Sequence, residues 1–367
     1  EKRHCICNME YKIITTTEEF ELLKGEWERL ENQSNNLTYF STFRYAKGKW
    51  DILSKYDKYK LCIFCVFQNG AIVGIAPLMI IRMQNKFISW DSLQFLAGGD
   101  YADFIIDELC EVRINSIYKQ LIDAIVINNQ LWDELYLHHI PHTSNLTYYL
   151  LSSEYNNKLL YLIENPYVQM AKIIDKNDLD NSKIPNTTKY YANRIKKITN
   201  YELMITTENH LQEFAPIHIA EKEYLHQKGL KQRHSLFEDK EENEIFNHLF
   251  DIGDSLSYYI KDTIHNRIII YNCGFLYNNT FYSLNTGFEP KYSYYGPGKI
   301  MYFEIFKENL KHPRWEILDA GTGRYQWKFE WATGFNLLYS LYFINQNCVK
   351  LKRWRKLQRI KRDIKSE

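Results

Sequence analysis

The chain has 367 residues, 45% hydrophobic and 16% aromatic, with a formal net charge of +1. That length fits two ordinary domains, the 29 Tyr and 20 Phe argue against disorder and favour sheets, and near-neutrality excludes a global field for nucleic acid or membrane. No apolar run reaches the roughly 20 residues of a membrane span, and Glu1-Lys2-Arg3 opens no apolar signal core, so a soluble, cytoplasmic protein is expected.

Tyr11–Thr17 reads as a β-branched strand and Glu18–Glu31 as a helix with Leu22, Leu23, Trp27 and Leu30 on one face. Thr42–Leu53 is a second helical stretch. Lys60–Phe67 and Ala71–Met83 form a hairpin about Gln68-Asn69-Gly70. Cys62 and Cys65 lie on the first of these strands, where side chains three apart face opposite ways, so core thiols are expected rather than a shared metal or a disulfide. Phe87–Leu96 is a strand, Ala97–Asp103 a loop, Glu111–Ile127 a helix and Trp132–His139 a strand.

After a polar linker over Asp175–Lys189 the order returns. Tyr201–Thr207 is a strand, Asn209–Gln227 and Glu241–Phe250 are helices, and Leu256–Lys261, Arg267–Tyr277 and Thr280–Gly287 are strands. A Tyr-rich loop then reaches Gly296-Pro297-Gly298-Lys299, a glycine-hinged turn opening into a helix to Lys311, with the strand Trp315–Asp319 behind it. Strand, tight glycine loop and helix N-terminus together present outward N–H groups and a dipole that favour an anion. One α/β unit used twice is the architecture implied, with Gly98-Gly99 standing in the first copy where Gly296-Pro297-Gly298 stands in the second.

Two series of residues resemble a known family. Ile75-Ala76-Pro77-Leu78, Phe95-Leu96, Gly98-Gly99-Asp100-Tyr101 and Asp103-Phe104 in the first half are similar to the bacterial acetyltransferases grouped around the cellulose-biosynthesis protein CelD. So are Gly287–Tyr292, Tyr295–Gly298, Leu318-Asp319-Ala320-Gly321 and Tyr325–Lys328 in the second. The chain departs from the family pattern at Ala320-Gly321-Thr322-Gly323 and where Gln326-Trp327 separate Tyr325 from Lys328.

The resemblance implies an α/β (α+β) fold of two tandem GNAT-like domains, as in Fem-type transferases, each a mixed, mostly antiparallel sheet flanked by helices. The expected ranges are 9–175 for the acceptor side, 186–346 for acyl-CoA, and 347–367 for a basic C-terminal helix. It also implies acyl transfer from acyl-CoA, without metal, to the amino group of a nucleotide-linked amino-dideoxy sugar in O-antigen or capsule synthesis, the acyl group being acetyl or 3-hydroxybutyryl. The alternatives are a Fem-type aminoacyl-tRNA-dependent transferase and a non-catalytic module of polysaccharide assembly. No nucleic-acid partner is expected.

On this resemblance the coenzyme A pyrophosphate falls at Tyr295, Gly296, Pro297, Gly298 and Lys299, and its pantetheine amides at Asn285, Thr286 and Gly287. Asp319, at a strand end, is a candidate to accept the amine's proton or to cap the next helix, and Tyr325 to donate to the departing thiolate. Asp100, Tyr101 and Asp103 are assigned to the acceptor with Lys328, and His139 is a candidate base. From Lys350 to Lys365 basic residues alternate with Leu351, Trp354, Leu357, Ile360 and Ile364. That pattern fits a membrane surface or a polyanion, the alternative being a terminal helix packed on the second domain by its stripe.

Overall fold

The structure, a computed structural model, describes residues 9–34, 37–110, 113–173 and 186–366, with the side chains of 186–187 and 359–366 outside the description. Residues 175–185 of the expected linker, the first two positions of the expected Glu111–Ile127 helix, and the side chains of Ile360 and Ile364 therefore lie outside it. The chain divides into two compact units, one running to Leu162 and resuming at Leu337, the other Ile163–Asn336. These limits differ from the expected 9–175 and 186–346 because the strand through Leu162 passes to the second unit at Ile163 and the last strand gives its residues from Leu337 on to the first.

In the first unit β1 (Met9–Ile14) precedes α1 (Thr17–Leu22), α2 (Lys24–Gln33) and α3 (Phe43–Leu53). The single helix expected over Glu18–Glu31 is broken at Leu23, which ends α1 with an N–H bonded back to Phe20 and Glu21. Thr42 starts α3 by accepting a hydrogen bond from Tyr45 N–H at 3.1 Å. The expected two-strand hairpin is four strands, β2 (Tyr59–Leu61), β3 (Ile63–Gln68), β4 (Ala71–Ala76) and β5 (Leu78–Gln84), interrupted at Cys62 and Pro77. Pro77 cannot donate to a ladder, and the ribbon changes sheet there. β3 and β4 join β1 and β7 (Ile105–Ile106) in the order β1-β3-β4-β7.

The other strands of this unit are β6 (Ser89–Phe95), β8 (Glu134–Pro141), which comes after α4 (Ile114–Ile127), and the end of β15 (Gly334–Ile344). They lie in the order β15-β8-β6-β5-β2, with β6 and β8 parallel. Leu338–Ile344 of β15 pairs antiparallel with β8, which is why residues beyond 336 belong here. α4 and α5 (Asn145–Ser152) cover a core containing Phe64, Leu93, Phe104, Ile117, Leu121 and Leu137. Cys62 and Cys65 are buried free thiols.

The basic helix α12 (Val349–Ser366) is rooted in this first unit and not in the second. Leu351 is buried, the Trp354 ring lies 5.5 Å from that of Trp90, and Leu357 is 57% exposed, so the stripe is only partly covered. The anchor is Glu134, 3% exposed, whose carboxylate accepts from Trp90 Nε1 at 2.7 Å, Tyr342 OH at 3.1 Å and Arg355 Nη2 at 2.9 Å. Among the described residues no helix is long and apolar enough to cross a membrane.

The second unit takes over within β9 (Leu159–Gln169) and adds α6 (Met170–Ile173), α7 (Asn186–Ile195) and β10 (Tyr201–Thr206). Then come α8 (Leu211–Gln227), α9 (Lys240–Ile252), β11 (Ser255–Asp262), β12 (Arg267–Tyr277), β13 (Thr280–Phe288), α10 (Pro297–Lys311), β14 (Ile317–Asp319) and α11 (Gln326–Phe329). The strands run β10-β11-β12-β13-β14-β9. A bulge between Cys273 and Gly274 bends β12 against β13, and a Cβ at Gly274 would come within 1.8 Å of the Tyr282 carbonyl oxygen. β13 pairs in parallel with β14 over Thr280–Tyr282 only. From Ser283 onward its described backbone partner is β12 alone, and the two strands part.

A buried polar network ties α8 to this part of the sheet. Tyr271 OH donates to Asn285 Oδ1, Asn285 Nδ2 donates to His218 Nε2 at 3.3 Å, and His218 Nδ1 meets Ser235 Oγ at 2.7 Å. The network assigns a neutral imidazole with its proton on Nδ1. Burial, helped by the Lys222 charge, pushes the His218 pKa down to about 3.

Both buried groups, Glu134 and His218, make stability measurable. Glu134→Ala leaves Trp90, Tyr342 and Arg355 without their acceptor and is expected to cost about 3 kcal/mol, read from urea denaturation. For His218, the unfolded chain binds a proton below about pH 6.5 while the folded protein stays neutral there until about 3, so stability falls with pH across that window. Between pH 7 and pH 5 this group is expected to contribute a loss of about 2 kcal/mol, and the pH 5 deficit is expected to shrink by that amount in His218→Gln.

Candidate functional site

Gly296, the residue before α10, has φ 58° and ψ 53°, the left-handed region that glycine enters without strain. A Cβ here would come within 2.8 Å of the Tyr191 ring. Pro297 occupies the first helical position, where its missing N–H is no loss. Gly298 is next, with no atom within 4 Å of where a Cβ would sit and no intrahelical acceptor for its N–H. It borders a cavity of ≈ 250 Å³ together with Thr286, Phe288, Tyr302, Trp327 and Trp331. A helix N-terminus bearing an open glycine, beside a cleft of this kind, suits a phosphate group with an apolar extension.

Lys299 lines the same cavity, but its Nζ is ion-paired with Glu330 at 3.0 Å. Tyr295 serves packing, lying against the core of this unit with its ring 5.4 Å from Tyr294. At the parted end of β13, Thr286 Oγ1 donates to the Tyr271 carbonyl at 2.7 Å and Asn285 is held in the network described above. Gly287 makes room for the Tyr271 ring, which would lie 3.0 Å from a Cβ.

A second cavity, ≈ 380 Å³, shares Glu221, Thr286 and Trp327 with the first and is also lined by Arg233, Tyr325 and Lys328. Glu221 is 8% exposed and paired with Lys222 at 2.8 Å. Burial raises its pKa, opposed by the charges of Lys222 and Arg233. A buried carboxylate lining both cavities has the properties of a general base.

No sequence motif marks Glu221 or His218. A signal was present all the same: Phe214, His218, Glu221 and Leu225 fall on one helical stripe of α8, so two ionisable groups interrupt a face expected to be apolar.

Asp319 does not line either cavity. It is 3% exposed, and its Oδ1 accepts from Gly321 N–H at 3.0 Å, fixing the turn after β14. Lys328 is 7% exposed and donates to the carbonyls of Gly321 and Thr322 at 2.9 and 2.7 Å, clamping the same turn from the other side. Tyr325 stands in the second cavity with its ring parallel to Trp327.

The remaining candidates gather in the first unit. Tyr101 is buried with its ring 6.2 Å from Phe40. Asp103 accepts from Phe104 N–H at 2.7 Å, and burial lifts its carboxyl to about 7. His139 has φ 64°, its Nδ1 sits 2.5 Å from the Gly99 carbonyl, and its own carbonyl accepts from Ala102 N–H. Lys49 donates to the Gly98 carbonyl at 2.9 Å, with burial taking its pKa down to about 8. Asp100 belongs to the same loop. Asp100, Tyr101, Asp103 and His139 thus form one group and the CoA-side candidates another.

Among the described residues no cluster of three or more His, Cys, Asp or Glu side chains could hold a metal ion. No curated protein matches the sequence. Solved structures share the fold, among them three of similar length. The structure of FemX aligns over 93% of this chain and 99% of its own with TM-score 0.58 and 11% identity. A conserved protein of unknown function from Bacteroides thetaiotaomicron covers 92% and 100% at TM-score 0.54 and 11% identity. A tandem GNAT protein from the clavulanic acid biosynthesis pathway covers 91% and 98% at TM-score 0.51 and 8% identity. The fold is thus α/β of the tandem GNAT kind. The family model described as an acetyltransferase (GNAT) domain matches residues 186–329, which hold the α10 turn, the second cavity and all of the first cavity's lining but Trp331. Over residues 186–329 this chain is similar to the GNAT acetyltransferase domain.

Proposed function

We propose that the chain is an acyl-CoA-dependent N-acyltransferase whose acceptor is the amino group of a nucleotide-linked amino-dideoxy sugar, supplying O-antigen or capsule synthesis. The observation that carries the reading is Glu221, a buried carboxylate shared by the cavity beside the α10 turn and the cavity beside Tyr325. The sugar nucleotide and the pathway rest on the resemblance of the motif residues, supported by a second cavity whose lining mixes cations, hydroxyls and aromatic rings.

When bound, acyl-CoA supplies a thioester-activated acyl group. The Gly298 N–H and the α10 dipole would hold its pyrophosphate, with Gly296 and Pro297 setting the turn. Asn285, Thr286 and Gly287, on the parted edge of β13, would offer backbone groups to the pantetheine amides. Glu221 takes the proton from the acceptor ammonium, its basicity set by burial against the Lys222 charge. Tyr325 OH donates to the departing thiolate. Asp319 and Lys328 hold the turn that carries Tyr325 rather than touching substrate. In this reading residues 186–346 serve acyl-CoA and take the reacting end of the acceptor in the second cavity.

Thiol release from acetyl-CoA and 3-hydroxybutyryl-CoA is expected to rise on addition of amino-sugar nucleotides and not of aminoacyl-tRNA. Stimulation by aminoacyl-tRNA alone, or by neither, overturns the reading. Glu221→Gln is expected to lower kcat about 100-fold or more with acyl-CoA affinity kept. Gly298→Asp, which sets a carboxylate against the pyrophosphate, is expected to abolish CoA binding in calorimetry while the circular dichroism spectrum is unchanged.

A further inference from the structure

Lys222, Arg233 and Lys328 bring positive charge to the second cavity. Lys222 is engaged by Glu221 at 2.8 Å, and Lys328 by the Gly321 and Thr322 carbonyls. Arg233 forms no ion pair among the described residues. Its guanidinium carbon instead lies 3.9 Å from the centre of the Tyr325 ring.

The surroundings fix this stack from several directions. The Arg233 carbonyl is in contact with His226 Nε2, and two residues on Ser235 opens a capping box closed by Glu238. The Tyr325 ring runs parallel to Trp327, 2° apart with centroids at 6.4 Å. Gly323, at φ 117°, makes room for the ring, since a Cβ there would come within 2.8 Å of it. A guanidinium whose face lies on an aromatic ring keeps its edge N–H groups in one plane, and that fork matches two oxygens of a phosphate or carboxylate.

We propose that Arg233 is the specificity residue for an oxyanion carried by the acceptor, namely the diphosphate of a nucleotide-linked sugar. This rests on the reading that the second cavity receives the acceptor. An amino acid carboxylate presents the same chemistry from a different source. Glu221 and Arg233 then address the two ends of one molecule, the carboxylate its ammonium and the guanidinium its anion.

The test uses the full chain with thymidine 5′-diphosphate and glycine as probes, titrated by calorimetry in the presence of CoA, with Arg233→Gln and Arg233→Lys alongside. Diphosphate affinity is expected to fall about 10- to 100-fold in Arg233→Gln and less in Arg233→Lys, with acetyl-CoA affinity unchanged in both. In turnover with an amino-sugar nucleotide, the rise in KM is expected to exceed the fall in kcat. Equal diphosphate and glycine affinities in wild type and Arg233→Gln overturn the clamp even if acyl transfer proceeds. Loss confined to glycine keeps the clamp and replaces the sugar nucleotide by an amino acid. Anion binding that depends on Arg233 in a protein that binds no acetyl-CoA sinks the acyltransferase reading and leaves the clamp standing.

Discussion

The second unit depends on where β13 stops pairing with β14. Parallel bonding ends at Tyr282 and Asp319, and the cause is steric and local. The bulge at Cys273 and Gly274 turns the ribbon, and only glycine lets the Tyr282 carbonyl approach that closely. A strand bonded on one side and open on the other is unstable as an edge unless something covers it. Here α8, the α10 turn and the 320–328 segment do so incompletely, and the two cavities with shared walls are what remains.

The polar groups around that opening divide by how well they are satisfied. Asn285, His218, Ser235 and Tyr271 form a closed chain of hydrogen bonds; such a chain fixes α8 against the sheet and has no capacity left for chemistry. Asp319 and Lys328 both bind the turn after β14. Glu221 differs: it lines both cavities, and burial raises its pKa against the charges of Lys222, beside it on the same helix, and Arg233. Position on α8 therefore separates a histidine held in a hydrogen-bond network from a carboxylate that lines both cavities, only three residues away.

Much of the architecture was readable from pattern. The repeated order of strands and helices, the Asn69-Gly70 hairpin and the Gly296-Pro297-Gly298 entry to α10 all stand where turn chemistry puts them, since these signals are local. Sheet membership was not readable: Lys60–Phe67 and Ala71–Met83 look continuous, and only pairing to distant β1, β7 and β6 shows that Cys62 and Pro77 are points of exchange. The site was half legible. Glycine and proline announce the α10 turn, whereas Glu221 and Arg233 belong to no motif and gain meaning from what surrounds them in space. Asp319 and Lys328 drew attention through the family likeness, yet residues in a motif can be there to hold a turn.

The first unit is finished by residues that come after the second. β8 acquires its β15 partner, and Glu134 its Arg355, only once the chain beyond Leu337 exists. At a synthesis rate of about 5–20 residues per second, the interval between Leu162 and Leu337 leaves that half of the sheet open for roughly ten to thirty-five seconds on the ribosome. The contiguous Ile163–Asn336 segment can close its own core in the meantime. The order of completion during translation is thereby the reverse of the order of coding.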